Sequence, residues 1–395
     1  MPALSGMRVL DMTQYEAGPS ATQALAWLGA DVVKVERPGT GDPGRGGGIG
    51  TNTAYFVNWN SNKRSIALAL AEPRGRELLL ELIPHYDVFV ENYGPGVVEK
   101  LDIGYGVLKT VNPGIIYAQV KGFGLSGPYS SYKSYDMVAQ ASAGTFSVTG
   151  PADGPPMRPG PTLADSGTGV QLALAITAAY VQKLRTGEGQ HIELSMQEAV
   201  TYYMRTNVAN GSDWGQRAAP RSGNGIAAVV NLYPCKPFGP NDYVYIMLIT
   251  RPMWGVFCKA IGRSELADDP RFATGKARRE NSEALFEIIT VWTSARTKAE
   301  AMRVLGEAGL PCSATLDTHD LFTDPHLLER DFVTSVDHAT LGTVPLLGWP
   351  ARLSKSQVPI VAAPLLGEHS ESVIAEDLGL DATQIAELRA NKIIE

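Results

Sequence analysis

The sequence predicts an α/β protein: a Rossmann-like open sheet in a large domain, with a smaller α/β domain. Three observations carry this. Residues 7–36 read as strand, loop, helix and strand, a βαβ unit. Short apolar runs that end in glycine turns recur at 87–91 and 115–120. From about 210 to 225 periodicity lapses and Gly, Ser and Arg accumulate, which marks a domain boundary.

In chain order, residues 7–12 form a buried strand. Tyr15 and Glu16 lie in the loop after it, and residues 20–28 form an Ala/Leu-rich helix with Gly29 as its C-cap. A second strand covers 30–36. The loop from Arg37 to Gly48, with Asp42 and Arg45, is long and glycine-rich; a ligand loop and a plain surface loop are both open. Residues 63–68 return to the sheet, and Pro73 opens a helix that runs to 83. The strand at 87–91 enters Asn92-Tyr93-Gly94-Pro95-Gly96, and residues 97–101 start a helix. A strand at 115–120, a helix at 135–143 and a Pro/Gly loop lead to Asp165. The helix over 170–184 is the longest. A strand at 190–194 and a helix at 196–208 follow. Strands at 227–233, 243–249 and 312–316, with helices at 254–261, 282–292 and 297–308, make the smaller domain over 225–320. The chain then returns, with a strand near 343–349 and helices at 372–378 and 382–390.

Composition narrows the function. The 395 residues carry 34 basic and 41 acidic side chains, a net charge of −7, with no basic stripe, so nucleic acid is not an expected partner. No run of 18 apolar residues occurs, and no membrane span is expected. Asp11 and Glu16 interrupt any signal-peptide layout, and Cys235, Cys258 and Cys312 stand far apart; both point to reduced thiols and a cytoplasmic location. The six histidines lack metal-ligand spacing, so no metal is expected. GxSxG and GxxxxGK[ST] are absent. Gly122, Gly124 and Gly127 match GxGxxG, but Pro128 follows where an apolar helix should begin, so a dinucleotide site is not predicted.

What remains is a set of glycine-bearing loops at strand ends, each beside a polar residue: Glu16, Arg37, Asn92, Lys121 and Asp165. In an open α/β sheet such loops converge on one cleft, where free amides can hold an anion. Asp165 ends Met157-Arg-Pro-Gly-Pro-Thr-Leu-Ala-Asp165 and precedes Gly167 and Gly169. It suits an N-cap, its oxygen accepting from a first-turn amide, and it equally suits a reacting carboxylate.

Five motifs then stand out: Leu28-Gly-Ala-Asp-Val-Val-Lys-Val-Glu36, Asn62-Lys63-Arg64-Ser65, Glu91-Asn92-Tyr93-Gly94-Pro95-Gly96, Thr186-Gly-Glu-Gly-Gln190 and Pro364-Leu-Leu-Gly-Glu-His369. Through them nearly the whole chain resembles the class III CoA-transferases, which include the formyl-CoA:oxalate and carnitine CoA-transferases, and the related α-methylacyl-CoA racemases. The resemblance implies an interlocked, ring-shaped homodimer whose large domain takes residues 1–210 and 325–395, with 211–224 and 321–324 as linkers. It implies transfer of coenzyme A between acyl-CoA and small carboxylic acids, with CoA as substrate and no permanently bound cofactor. Asp165 falls where the family's nucleophile stands; the local sequence, apart from the family, offers amides near Gly167 and Gly169 as its donors. Tyr15, Glu16, Tyr135 and Asp136 would lie at the reacting end. Arg37, Leu68, Asn92 and Tyr93 would meet CoA, and so would Lys100 and Lys133, unless these two are solvent charges. Met196 is either near the site or core. Oxalate-specific relatives carry glutamine where Glu16 stands, which puts oxalate in doubt. Ser222-Gly-Asn-Gly225 replaces a four-glycine lid. No histidine lies between His85 and His191, where the racemases place their base, so transfer is favoured over racemisation; Asp165 favours it over the other alternative, a CoA-binding protein without turnover.

Overall fold

The computed structural model describes residues 1–46, 52–226 and 229–395. The expected glycine loop loses Gly47 and Gly48 to this limit, and the expected strand at 227–233 loses its first two residues. The chain divides into two compact units. The larger holds Met1–Phe146, Arg158–Gln216 and Arg330–Glu395; the smaller holds Ser147–Met157 and Arg217–Glu329.

The larger unit opens with β1 (Arg8–Met12), α1 (Ala17–Trp27), β2 (Asp31–Glu36), α2 (Ala54–Asn60), β3 (Arg64–Ala67), α3 (Pro73–Leu82) and β4 (Val88–Glu91). Next come α4 (Val97–Lys100), α5 (Tyr105–Val111), β5 (Ile116–Lys121), α6 (Asp136–Ser142), α7 (Ser166–Thr186), β6 (His191–Ser195) and α8 (Met196–Tyr203). The six strands form one sheet in the order β3-β2-β1-β4-β5-β6, every pairing parallel. Parallel strands covered on both faces read as near-continuous apolar runs, and β4 and β5 are buried along their whole length, Glu91, Gln119 and Lys121 included. The order reverses direction between β1 and β4, so their carboxyl ends frame the crevice where such sheets bind ligands.

One core packs α1 and α7 against one sheet face. The two helices come close at Gly169, where an added Cβ would lie 2.0 Å from Ser20 Oγ and 2.9 Å from the Ala17 carbonyl. Gly169 thus serves helix packing rather than approach to a ligand. A second core on the other face takes Leu78, Leu82, Phe89 and Tyr117 together with Val373 and Ile394 from the chain's end.

The smaller unit contains β7 (Val230–Pro234), β8 (Tyr243–Met247), α9 (Arg251–Ala260), α10 (Gly275–Glu280), α11 (Ser282–Ser294), α12 (Lys298–Glu307), β9 (Cys312–Ala314), α13 (Asp320–Thr323) and α14 (Pro325–Glu329). Its antiparallel sheet runs β7-β8-β9, and Leu285, Ile289 and Trp292 of α11 enter its core as their helical spacing requires. Ser222–Gly225 belongs to this unit; Gly223 N–H donates to the Gly150 carbonyl at 3.0 Å. The chain then re-enters the larger unit through the hairpin β10 (Val333–His338) and β11 (Gly342–Leu347), followed by α15 (Ser370–Leu378) and α16 (Ala382–Ala390).

Several elements differ from the sequence reading. Strand β10 was not anticipated, because Val333–His338 alternates weakly and ends in charge. Residues 54–60, given no element in the sequence reading, form helix α2, capped by Thr53. Helix α7 begins at Ser166, four residues before its apolar run.

Candidate active site

The carboxyl ends of β1, β4 and β5 open onto a cleft of about 330 Å³, lined by Gln14 and Tyr15 after β1, Asn92 and Tyr93 after β4, and Lys121 and Gly122 after β5. Tyr132–Tyr135, Asp165 and Met196 close it.

The Asp165 side chain does not cap α7, contrary to the expected N-cap: the residue is already in right-handed helical geometry, and its oxygens accept from no first-turn amide. Its backbone carbonyl does that work, taking the Gly169 N–H at 2.9 Å, while the Gly167 N–H goes to Leu163 O at 3.2 Å. The expected amide donors are therefore already used. Among the described residues nothing donates to the Asp165 carboxylate. Burial pushes its carboxyl up to about 7, and the charges of Glu16 and Asp136 add to the effect.

Asp136, first residue of α6, holds the nearby backbone. Its Oδ2 accepts the N–H groups of Ala164 and Asp165 at 2.9 and 3.0 Å, and its Oδ1 accepts Gln140 Nε2 at 2.7 Å. Gln140 also reaches Pro161 O at 2.9 Å, so one amide ties α6 to both ends of the Pro161–Asp165 segment. Three donors thus fix the Asp136 carboxylate in place.

Glu16 stands at the start of α1, 3% exposed, and accepts from Thr162 Oγ1 at 2.6 Å and Tyr55 Oη at 3.4 Å. Burial raises its carboxyl, and Asp136 adds to that. Tyr15 has φ of 62°, a left-handed backbone that costs a non-glycine residue about 1–3 kcal/mol. Its ring meets Tyr135 edge to face at 5.9 Å.

Asn92 and Tyr93 stand on the cleft wall. Asn92 exchanges two hydrogen bonds with the Gln14 backbone, at 2.7 and 2.8 Å, and Tyr93 Oη accepts from Gln14 Nε2 at 3.2 Å. Lys133 is an exposed cation at the cleft, and Met196 is both buried and cleft-lining. Lys121 is there too, but its ammonium is committed to Glu91, at 2.8 and 2.9 Å, and to Tyr93 O at 2.6 Å. Arg37 and Lys100 are exposed and do not line the cleft. Leu68 is 1% exposed within the second core, so its side chain is not a channel wall. The loop after β2 proves to be a latch: Arg45 pairs with Glu36 through two 2.7 Å bonds, donates to Pro364 O, and lies 3.6 Å over Phe56.

The roles of Thr162, Tyr55 and Gln140 were not anticipated. Thr162 meets Glu16 across 146 positions, and no local pattern announces such a contact. Among the described residues, no group of three or more His, Cys, Asp and Glu could hold a metal ion, and no helix is long and apolar enough to cross a membrane.

Residues 4–370 match the sequence model of CoA-transferase family III. The chain is 42% identical to the formyl-CoA:oxalate CoA-transferase of Streptomyces coelicolor, with 99% of each covered, and 39% identical to that of Rhodopseudomonas palustris, with 98% of this chain and 96% of the relative covered. A CAIB/BAIF family protein from Brucella suis superposes with a TM-score of 0.85 at 31% identity, over 95% of this chain and 99% of that one. A Mycobacterium tuberculosis protein superposes at 0.81 with 27% identity, over 94% and 99%.

Proposed function

The chain belongs to CoA-transferase family III, and from that membership we propose that Asp165 is the carboxylate through which coenzyme A changes partners. As a class III CoA-transferase the protein moves CoA from an acyl-CoA thioester to a carboxylic acid. The observation that carries the proposal is a cleft-lining aspartate that accepts no hydrogen bond among the described residues, beside two further carboxylates.

In the proposed sequence, Asp165 Oδ attacks the thioester carbonyl and expels CoA thiolate, leaving a mixed anhydride. The thiolate attacks the aspartyl carbonyl, releasing the donor acid and forming an aspartyl-CoA thioester. The acceptor carboxylate attacks that thioester and again expels the thiolate, which takes the new acyl group and frees Asp165. Charge balances at each step without net proton transfer. Splitting the exchange this way is covalent catalysis by a carboxylate. Glu16 and Asp136 destabilise the free Asp165 anion, and acylation removes that repulsion, so the same charges that raise its pKa favour its attack once it is ionised. The cleft-lining Tyr135 can offer its O–H to the developing oxyanion, while the Tyr15 hydroxyl is engaged with Tyr135.

Asn92 and Tyr93 would flank the pantetheine arm, with Lys133 toward the phosphates; Arg37 and Lys100, exposed and free of the cleft wall, are the outlying cations for the nucleotide. The relatives' names specify formyl-CoA and oxalate. Here the charges of Glu16 and Asp136 both bear on Asp165, an environment that opposes a dianion. A small monocarboxylate is therefore the proposed acceptor. Self-association is supported by an exposed apolar stripe on α7, including Leu174 at 71% and Leu184 at 69% exposure. The free cysteines support a reducing, cytoplasmic setting. Asp165→Ala tests the central assignment: turnover should vanish while CoA binding, measured calorimetrically, persists. Retained turnover would refute it.

A further inference from the structure

Thr13–Tyr15 joins β1 to α1 without regular secondary structure, yet its backbone is bonded by side chains at each residue. Thr13 N–H donates to Asp11 Oδ1 at 2.8 Å, and Thr13 O accepts from Lys34 Nζ at 2.6 Å. Gln14 gives its N–H and its carbonyl to Asn92. Tyr15 N–H donates to Asp42 Oδ1 at 3.1 Å. Asp42 and Lys34 are themselves a buried ion pair at 2.8 Å. Asp42 is fixed in turn, since its N–H donates to Glu36 Oε2 at 2.9 Å and its Oδ1 also accepts from Gly44 N–H at 2.8 Å.

This arrangement sits where the backbone needs holding. Tyr15 is in the left-handed region, which a bulky residue keeps only when its surroundings impose it. Lys34 occupies the middle of β2 between Val33 and Val35, where a buried ammonium adds less to sheet stability than an apolar side chain would. What the charge does there is bond the loop that delivers Tyr15 and Glu16.

We infer that Asp42, with its partner Lys34, is a positioning residue for the transfer reaction: it holds Tyr15 in its left-handed conformation and so fixes Tyr15 and Glu16 beside Asp165. The inference rests on Asp165 being the reacting carboxylate. Neither Asp42 nor Lys34 lines the cleft, so they act through the loop.

The test compares Asp42→Ala in two backgrounds, native and Tyr15→Gly. Glycine adopts a φ near 62° without strain and needs no clamp. In the native background Asp42→Ala should lower kcat by about tenfold to a hundredfold, with the KM for acyl-CoA little changed. In the Tyr15→Gly background the further loss should be under about threefold, because the constraint it removes is no longer required. An equal loss in both backgrounds overturns the inference and leaves Asp42 a purely structural residue. If Asp42→Ala does not fold, with Lys34 left buried and unpaired, the apolar pair Lys34→Met/Asp42→Leu takes its place in the same comparison. Failure of the underlying assignment reads differently: Asp165→Ala would still turn over.

Discussion

Glu16→Gln should move the pH dependence of CoA transfer to the acid side. In the native enzyme burial, then Glu16, then Asp136 push Asp165 up to about 7. Attack on the donor needs the ionised form, so kcat/KM falls by about tenfold for each pH unit below the midpoint. At pH 6 only about a tenth of Asp165 is ionised. The substituted glutamine keeps the length of the side chain, and its amide oxygen can accept from Thr162 or Tyr55, but the charge is gone. A neighbouring charge at the effective dielectric of such a cleft contributes about 1–2 kcal/mol, or about one pH unit. Burial and Asp136 remain, so the new midpoint lies near 6 and the ionised fraction at pH 6 rises to about a half. Initial rates of acyl-CoA formation at subsaturating donor, from about pH 5 to 9, give both midpoints. Because the comparison uses the midpoint and not the plateau, a separate effect of the substitution on chemistry does not confuse it. A midpoint that stays in place or moves upward would refute the electrostatic account.

The same charges affect stability. Asp165 titrates higher folded than unfolded, so the folded state binds more protons between about 4 and 7 and gains stability as pH falls through that window, carrying its full penalty above 7. Asp165→Asn should therefore stabilise the protein by about 2–4 kcal/mol at pH 8, an advantage that disappears by pH 4; urea titrations at both values measure it. Gly169→Ala should destabilise by about 2–4 kcal/mol, since its Cβ would meet Ser20 Oγ at 2.0 Å and force α1 from α7, and the urea midpoint would report it.

The parallel sheet was legible because β1, β2, β4 and β5 are short, mostly apolar runs that end at polar turns, and burial on both faces leaves that pattern in sequence. The cleft was legible for the same reason: Tyr15, Asn92 and Lys121 each follow or end a strand. Hydrogen-bond partners were not. Asp165 resembles an N-cap in sequence, but a cap needs extended backbone, and this residue has already entered the helix. Lys34, Lys63 and Glu91 stood in motifs whose meaning depended on distant partners: Thr13 and Asp42, Asp11, and Lys121. Leu68 shows the converse. The family resemblance implied a ligand wall there, while its side chain completes the core with Ile394, hundreds of residues away.

The central claim is that Asp165 carries CoA covalently. Intact-protein mass spectrometry after incubation with a panel of acyl-CoAs, followed by hydroxylamine, addresses it directly. The account predicts an adduct of CoA mass that maps to Asp165 and is lost on hydroxylamine treatment. Turnover without any such adduct, or an adduct on another residue, would contradict it.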